Sequence, residues 1–228
     1  MRFELTEHFC STVFKTVAIN RTLPHFLKYS MLQELEKTLL PYLGRKRDIG
    51  VFVSGGLDSA VLLALCANLK QKYLLPAILQ TFTVPQGLDA QWSKQVIDWV
   101  ETRYQLRFDR TILGNANLPH DQRVIDGLRT AKEFCDHLLL GDTTNPLDLP
   151  PGPRRDRSQS SRYVQPFFDL TKDKVVQLGL ELNLEELMHI SNSCNLDSNC
   201  GHCWACRERA WAFRMVAIAG IEPATNGV

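Results

Sequence analysis

The 228-residue sequence lacks a charge of one sign: 26 lysines and arginines stand against 25 aspartates and glutamates. A chain this close to neutral has no general field with which to gather a polyanion, so nucleic acid is not an expected partner beyond a local contact. It also lacks a long hydrophobic run, since no stretch approaches the roughly 18 apolar residues of a membrane helix. The first residues, Met1-Arg2-Phe3-Glu4-Leu5-Thr6-Glu7, carry early acids and no apolar leader segment. No membrane partner is expected, and the cytosol is the expected compartment. Internal repeats and low-complexity tracts are absent too. Cysteine is present but unevenly placed. Cys194, Cys200, Cys203 and Cys206 crowd together, while Cys10, Cys66 and Cys135 sit singly among apolar neighbours. In a reducing compartment that clustering points to a metal site rather than to disulfides.

With 44% hydrophobic and 22% charged residues the composition is ordinary for a globular protein. The length suits one core-forming domain with an appendage. The first thirty residues are the least legible, although Phe9, Val13, Val17 and Ile19 would suit a short strand or hairpin. From Ser30, a candidate N-cap with Glu34 in the first turn, Met31, Leu32, Leu35, Leu39 and Leu40 recur at helical spacing until Pro41 and Gly44. Asp48 to Val53 reads as a buried strand entering a Ser-Gly-Gly turn, followed by a helix from Asp58 to about Lys70. The alternation continues with a strand near 74–84, a helix over 88–104, a strand near 105–112, a helix around 124–134 and a strand at 137–140. This order predicts an α/β fold whose parallel sheet is flanked by helices on both faces. A proline-rich and arginine-rich loop follows over 142–162, long enough to suspect function. Helices are predicted over 171–182 and 204–219, on either side of the cysteines.

The turn after the first strand carries the clearest chemistry. Paired glycines let the backbone approach an anion closely and aim several N–H groups at it from a helix N-terminus. In Ser54-Gly55-Gly56-Leu57-Asp58-Ser59 the two serines add hydroxyl donors, and Asp58 can cap the helix or share a magnesium ion with bound phosphates. Five fixed positions match by chance about once in a million starting points at usual residue frequencies. An ordinary capped turn needs neither the glycine pair nor the second serine. On these residues the sequence resembles the PP-loop ATP pyrophosphatase superfamily. That resemblance implies cleavage of ATP between its α and β phosphates, transfer of AMP to a substrate oxygen, and displacement of AMP by a nucleophile.

Cys194, Cys200, Cys203 and Cys206, spaced x5, x2, x2, suit four thiolates around one tetrahedral zinc ion, which leaves no open position and so makes the metal structural. His202 lies inside this motif and is expected to be a spacer. The surrounding blocks, Pro166-Phe167-Phe168-Asp169-Leu170-Thr171-Lys172, Leu178-Gly179-Leu180-Glu181-Leu182, Ser193-Cys194, Cys200-Gly201-His202-Cys203-Trp204-Ala205-Cys206 and Arg207-Glu208-Arg209-Ala210-Trp211-Ala212-Phe213, resemble QueC, the 7-cyano-7-deazaguanine synthase family.

The resemblance implies ATP, Mg2+ and Zn2+ as cofactors, with a 7-deazaguanine-type substrate and ammonia as partners. The carboxylate is adenylated, ammonia displaces AMP to give an amide, and a second ATP round dehydrates the amide to a nitrile. Three segments follow: an N-terminal extension over 1–47, the PP-loop ATP-binding α/β domain over 48–190, and a helical zinc-binding segment over 191–228. A homodimer is the expected assembly. Phe82-Thr83-Val84-Pro85-Gln86-Gly87 and Thr111-Ile112-Leu113-Gly114-Asn115-Ala116-Asn117 are poor copies of the family's substrate segments, which keeps other readings open: a diverged ligase joining the acyl group to a protein amine, a PP-loop tRNA-modifying enzyme, and a non-catalytic nucleotide sensor. Asp142, Thr143 and Asn145 follow the fourth strand, beyond the carboxyl ends of the sheet where ligands lie in open α/β folds, and are the candidate substrate residues. Lys172 opens a helix against the helix dipole, which a phosphate partner would rationalise, and it joins Ser54, Asp58 and Ser59 as a candidate catalytic residue. Arg154, Arg155 and Arg157 read as a solvated loop that could order over an anionic substrate.

Overall fold

The computed structural model describes residues 25–85, 90–115, 117–153, 157–158, 160–194 and 200–220. The strand or hairpin expected around Phe9 to Ile19, and Arg154 and Arg155, lie outside these residues. The described elements run α1 (His25–Leu43), β1 (Asp48–Phe52), α2 (Leu57–Tyr73), β2 (Ile78–Thr83), α3 (Gln91–Tyr104), β3 (Asp109–Ile112), α4 (His120–Ala131), β4 (His137–Leu139), β5 (Tyr163–Val164), α5 (Lys172–Glu181), α6 (Glu185–Ile190) and α7 (Trp204–Ile218). Five parallel strands pair in the order β3-β2-β1-β4-β5. The predicted parallel α/β sheet is therefore the fold, and its strand order reverses direction at β1. In such sheets the crevice beyond the carboxyl ends at the reversal is the natural ligand site.

Burial explains the arrangement. Ile49, Val51 and Val53 alternate with Gly50 along β1, and a Cβ on Gly50 would meet Phe82, Cys135 and Leu138 at 2.6–2.9 Å, so one sheet face is packed too closely there for any side chain. That face is closed by α4. The other carries the larger core, centred on α2, in which every residue from Ser59 to Ala67 is buried. A helix apolar nearly all round belongs at the centre of the layers. Leu35, Leu39 and Leu43 of α1 are in the same core, within the span read as an N-terminal extension.

Several predicted boundaries are corrected. α1 begins at His25, so Ser30 lies inside the helix rather than capping it, and Pro41 sits in its last turn. The strands expected from Leu74 and Gln105 begin only at Ile78 and Asp109, because Leu74 and Gln105 both close the preceding helices in the left-handed conformation, at φ 51° each. α4 starts four residues before the predicted Val124, after Pro119 and with Asp121 in its first turn, and Phe134 lies past its end. The short β5 and α6 were not predicted.

One polar cluster locks α3 to β3. Glu101 is almost fully buried, accepts from the Phe108 amide at 2.9 Å, and pairs with Arg110 at 2.6 Å and with the exposed Arg107 at 3.0 Å. Burial raises the pKa of this carboxyl, but the Phe108 amide and the Arg110 and Arg107 guanidinium groups outweigh it and leave a net lowering. A carboxylate with a depressed folded value stabilises above its unfolded pKa, and that contribution is lost as pH falls through the folded value. Glu101→Gln should cost about 1–3 kcal/mol at neutral pH, discounted for the exposure of both arginines. In thermal melts the gap between variant and wild type should close as the solution is acidified through the depressed value; a gap unchanged by acid would refute the assignment.

Candidate active site and metal centre

The Ser54 to Ser59 turn lies at the carboxyl end of β1. Gly55 has φ +85°, and a Cβ there would lie 2.6 Å from Trp92 Cβ and 2.7 Å from the Ser93 nitrogen. Gly56, with φ −76°, is the N-cap of α2. The two serine hydroxyls are 3.1 Å apart, Ser59 Oγ donates to the Gly56 carbonyl at 3.0 Å, and the Gly56 amide donates to Ser54 Oγ at 3.2 Å. The Leu57 amide donates to Ser193 Oγ at 3.3 Å. These last two bonds are at the long end of N–H···O distances, so a phosphate oxygen can replace either acceptor at little cost.

The loop is walled by two other segments. Gly141, just after β4, packs so close that a Cβ would lie 2.8 Å from the Ser59 nitrogen and 2.9 Å from the Asp58 carbonyl carbon. From the other side, the Asn192 amide donates to the Gly55 carbonyl at 2.8 Å, placing Ser193 and then Cys194 against the turn.

Lys172 is buried at the first position of α5. Its Nζ lies 3.1 Å from Asp58 Oδ2 and 2.7 Å from Glu208 Oε2, and Glu208 is itself fully buried. A lysine and a glutamate are almost never this buried unless paired. The cation at this helix start is thus accounted for by two carboxylates from α2 and α7. Neither the pairing nor Glu208 was read from the sequence, because the partners are distant along the chain and share no spacing rule.

The candidate substrate residues divide. Asp142 is exposed, and its Oδ2 accepts from Gln165 Nε2 at 2.8 Å. Thr143 is buried. Asn145 donates through Nδ2 to the Pro153 carbonyl at 2.8 Å and so ties the following loop to itself. That loop reaches the metal segment at Gly152, where a Cβ would overlap the Trp204 ring at 2.3 Å. Arg157 pairs with Asp169 at 2.6 Å and stacks over Phe168 at 4.6 Å.

The sulfurs of Cys194, Cys200, Cys203 and Cys206 all lie within 4.8 Å of one another, with the Cys200–Cys206 and Cys194–Cys203 pairs at 4.0 Å. Four sulfurs at about 2.3 Å from one tetrahedral ion stand about 3.8 Å apart, so the set fits a single ion. The backbone supports it: the amides of Cys200, Cys203 and Cys206 point at the sulfurs of Cys194, Cys200 and Cys203 at 3.5, 3.3 and 3.4 Å. Such donors favour thiolate and orient it. The Cys203 amide heads the causes that hold the Cys200 thiol below its ordinary value. Burial instead pushes Cys206 up to about 12, a proton that a metal ion must displace. His202 is exposed, with Nδ1 2.8 Å from the Cys200 carbonyl oxygen, and stands outside the sulfur set. Cys66 and Cys135 are pushed by burial to about 12 and about 11, which suits inert core thiols.

Two family models match the chain. Asparagine synthase matches residues 33–139, which include the Ser54 to Ser59 turn, and queuosine biosynthesis protein QueC matches residues 154–217, which include Lys172 and the four cysteines. No curated protein matches in sequence. Among solved structures, the U34-tRNA thiolase NcsA from Methanococcus maripaludis with its 4Fe–4S cluster is 16% identical, with a TM-score of 0.50 over 91% of this chain and 85% of that one. An FMN adenylyltransferase of Candida glabrata is 15% identical (TM-score 0.49, 75% of this chain and 62% of that chain). The ammonia-dependent NAD synthetase of Campylobacter jejuni is 12% identical (TM-score 0.47, 90% and 100%). At these identities the first similarity shows a shared fold. Sheet, glycine turn and family matches together support a PP-loop ATP pyrophosphatase. Its carboxyl-terminal block, over residues 154–217, is the part similar to QueC.

Proposed function

We propose that the protein is a QueC-like enzyme that uses ATP to activate a 7-deazaguanine carboxylate and passes the acyl group to ammonia. One observation carries the reading: the QueC-matching block is seated on the phosphate loop, through Ser193 on the Leu57 amide, the Asn192 amide on the Gly55 carbonyl, and Lys172 on Asp58. A carboxylate oxygen attacks the α-phosphorus and pyrophosphate leaves. Ammonia then attacks the acyl carbon, AMP leaves, and an amide remains. In a second round the amide oxygen is adenylated and departs with AMP, forming the nitrile. Backbone amides at Gly56 and Leu57 and the hydroxyls of Ser54 and Ser59 would hold the phosphates, and Asp58 would help hold a magnesium ion that neutralises their charge. The chain's contribution is positioning and charge neutralisation, and no cysteine acts as a nucleophile. Asp142, steadied by Gln165 at the mouth of the crevice, meets the substrate. The four cysteines hold one zinc ion as a structural element; a cubane cluster would spread its ligating sulfurs more widely than the 4.0 Å pairs found here.

The test supplies metal-replete protein with Mg·ATP, ammonium and 7-carboxy-7-deazaguanine, and follows AMP and purine products by mass spectrometry. Nitrile is expected, with turnover reduced at least 100-fold in Ser54→Ala, in line with loss of an oriented transition-state donor. Substrate-dependent AMP with amide or adenylate but no nitrile would move the acceptor to another amine, such as one on a protein. ATP binding without any AMP would overturn the synthase reading in favour of a sensor.

A further inference from the structure

Glu208 stands in the second turn of α7, two residues after Cys206, and its carboxylate pairs with the Lys172 ammonium. Lys172 in turn touches Asp58, in the first turn of the helix that opens from the phosphate loop. A line of paired charges, buried at Glu208 and Lys172 and partly exposed at Asp58, thus runs from the helix that carries Cys206, through one shared cation, to the glycine loop. The ammonium lies 2.7 Å from Glu208 and 3.1 Å from Asp58, within ion-pair distance of both.

We propose that Glu208 is a positioning residue that couples metal occupancy to nucleotide binding, acting through Lys172 on Asp58. This rests on the reading that the loop takes Mg·ATP and the cysteines a metal ion. The physical argument is that α7 begins at the cysteines: Cys203 is its N-cap and Cys206 lies in its first turn, so the ion fixes where the helix starts and therefore where Glu208 stands. With the ion in place Lys172 is held from behind and meets Asp58 in one geometry. Without it the first turns of α7 lose their anchor, Lys172 loses a partner that keeps it in place, and the loop must be organised when the nucleotide arrives. Metal should then strengthen nucleotide binding, and by reciprocity nucleotide should strengthen metal binding by the same factor. A second link, Asn192 and Ser193 on Gly55 and Leu57, joins Cys194 to the loop through backbone, so loss of Glu208 should reduce the coupling rather than erase it.

The experiment measures the equilibrium zinc affinity of the full chain in a competing chelator, with and without saturating Mg·ATP, alongside ATP affinity by calorimetry. In wild type, Mg·ATP should raise zinc affinity about tenfold, within the usual span of coupling between sites. In Glu208→Gln, which keeps size and all four thiolates, the factor should fall to about threefold or less while zinc still binds one per chain. Should that variant fail to hold zinc or fold, Glu208→Asp draws the carboxylate back by one methylene and should lower the factor in the same direction. A factor equal to wild type in either folded variant overturns the role of Glu208 and assigns the coupling to the backbone link. A factor of one in wild type that binds ATP normally overturns the coupling itself. Wild type that binds no Mg·ATP removes the nucleotide reading on which the proposal stands.

Discussion

Replacing Gly55 with alanine is expected to destabilise the protein by about 3 kcal/mol or more, the sum of a left-handed backbone forced on a residue with a Cβ and of overlap with packed neighbours. Both parts are visible: φ is +85°, and the added carbon would meet the Ser93 nitrogen at 2.7 Å and the Trp92 carbonyl carbon at 2.8 Å, backbone atoms at the start of α3 that no rotamer change can move. Gly56, next in sequence, should behave oppositely. Its φ is ordinary, and the nearest atoms to a Cβ there would be Ser54 Oγ at 3.3 Å, Ser193 Oγ at 3.7 Å and the Asn192 carbonyl oxygen at 3.8 Å. Gly56→Ala should therefore melt within a few degrees of wild type yet bind Mg·ATP at least tenfold more weakly, because its methyl occupies the approach to the amides of the turn. Thermal melts and calorimetry on the pair separate the two uses of glycine. A Gly56→Ala variant that binds nucleotide as wild type does would show that phosphate lies elsewhere.

The same pair of residues shows why this turn was the most legible part of the chain. Strand, glycines, serines and helix are consecutive, so one local reading gives element, conformation and chemistry together. The four cysteines were legible for a related reason, since ligand spacing within thirteen positions constrains geometry directly. Legibility failed where structure depends on distant partners or breaks a preference. Leu74 and Gln105 end helices in a conformation that glycine or asparagine would have signalled, so two strands were predicted to begin too early. Tyr163–Val164 is a strand only because Leu138 and Leu139 lie beside it. Lys172 stands at a helix start, and the two carboxylates against it, Asp58 and Glu208, come from places too distant along the chain for spacing to show. Asn145 is a candidate substrate residue by its place after the fourth strand, and its bond to the Pro153 carbonyl is a tertiary detail that this place does not disclose.

The four-cysteine centre gives the second large effect. Cys206→Ser should abolish stoichiometric metal binding and lower the melting midpoint by about 10 °C or more, because in small metal-organised segments binding free energy is folding free energy. Three structural facts argue for so large a shift. Cys206 is buried, so the serine hydroxyl would sit in a site without solvent; α7 takes its N-cap from Cys203 and carries Cys206 in its first turn; and Trp211, Ala212 and Val216 of that helix belong to the main core. Loosening the helix start thus exposes apolar surface that belongs to the α/β body as well. Acidification should mimic the substitution. A metal ion competes with protons for the thiolates, and burial makes the Cys206 proton especially hard to remove, at about 12, so affinity must fall as pH falls. Zinc released on lowering the pH, followed with a colorimetric chelator, should coincide with loss of α7 helicity by circular dichroism. Release with no loss of helix or of melting temperature would show that packing of Trp211 and Val216 alone holds α7, and that the ion serves some purpose other than completing the fold.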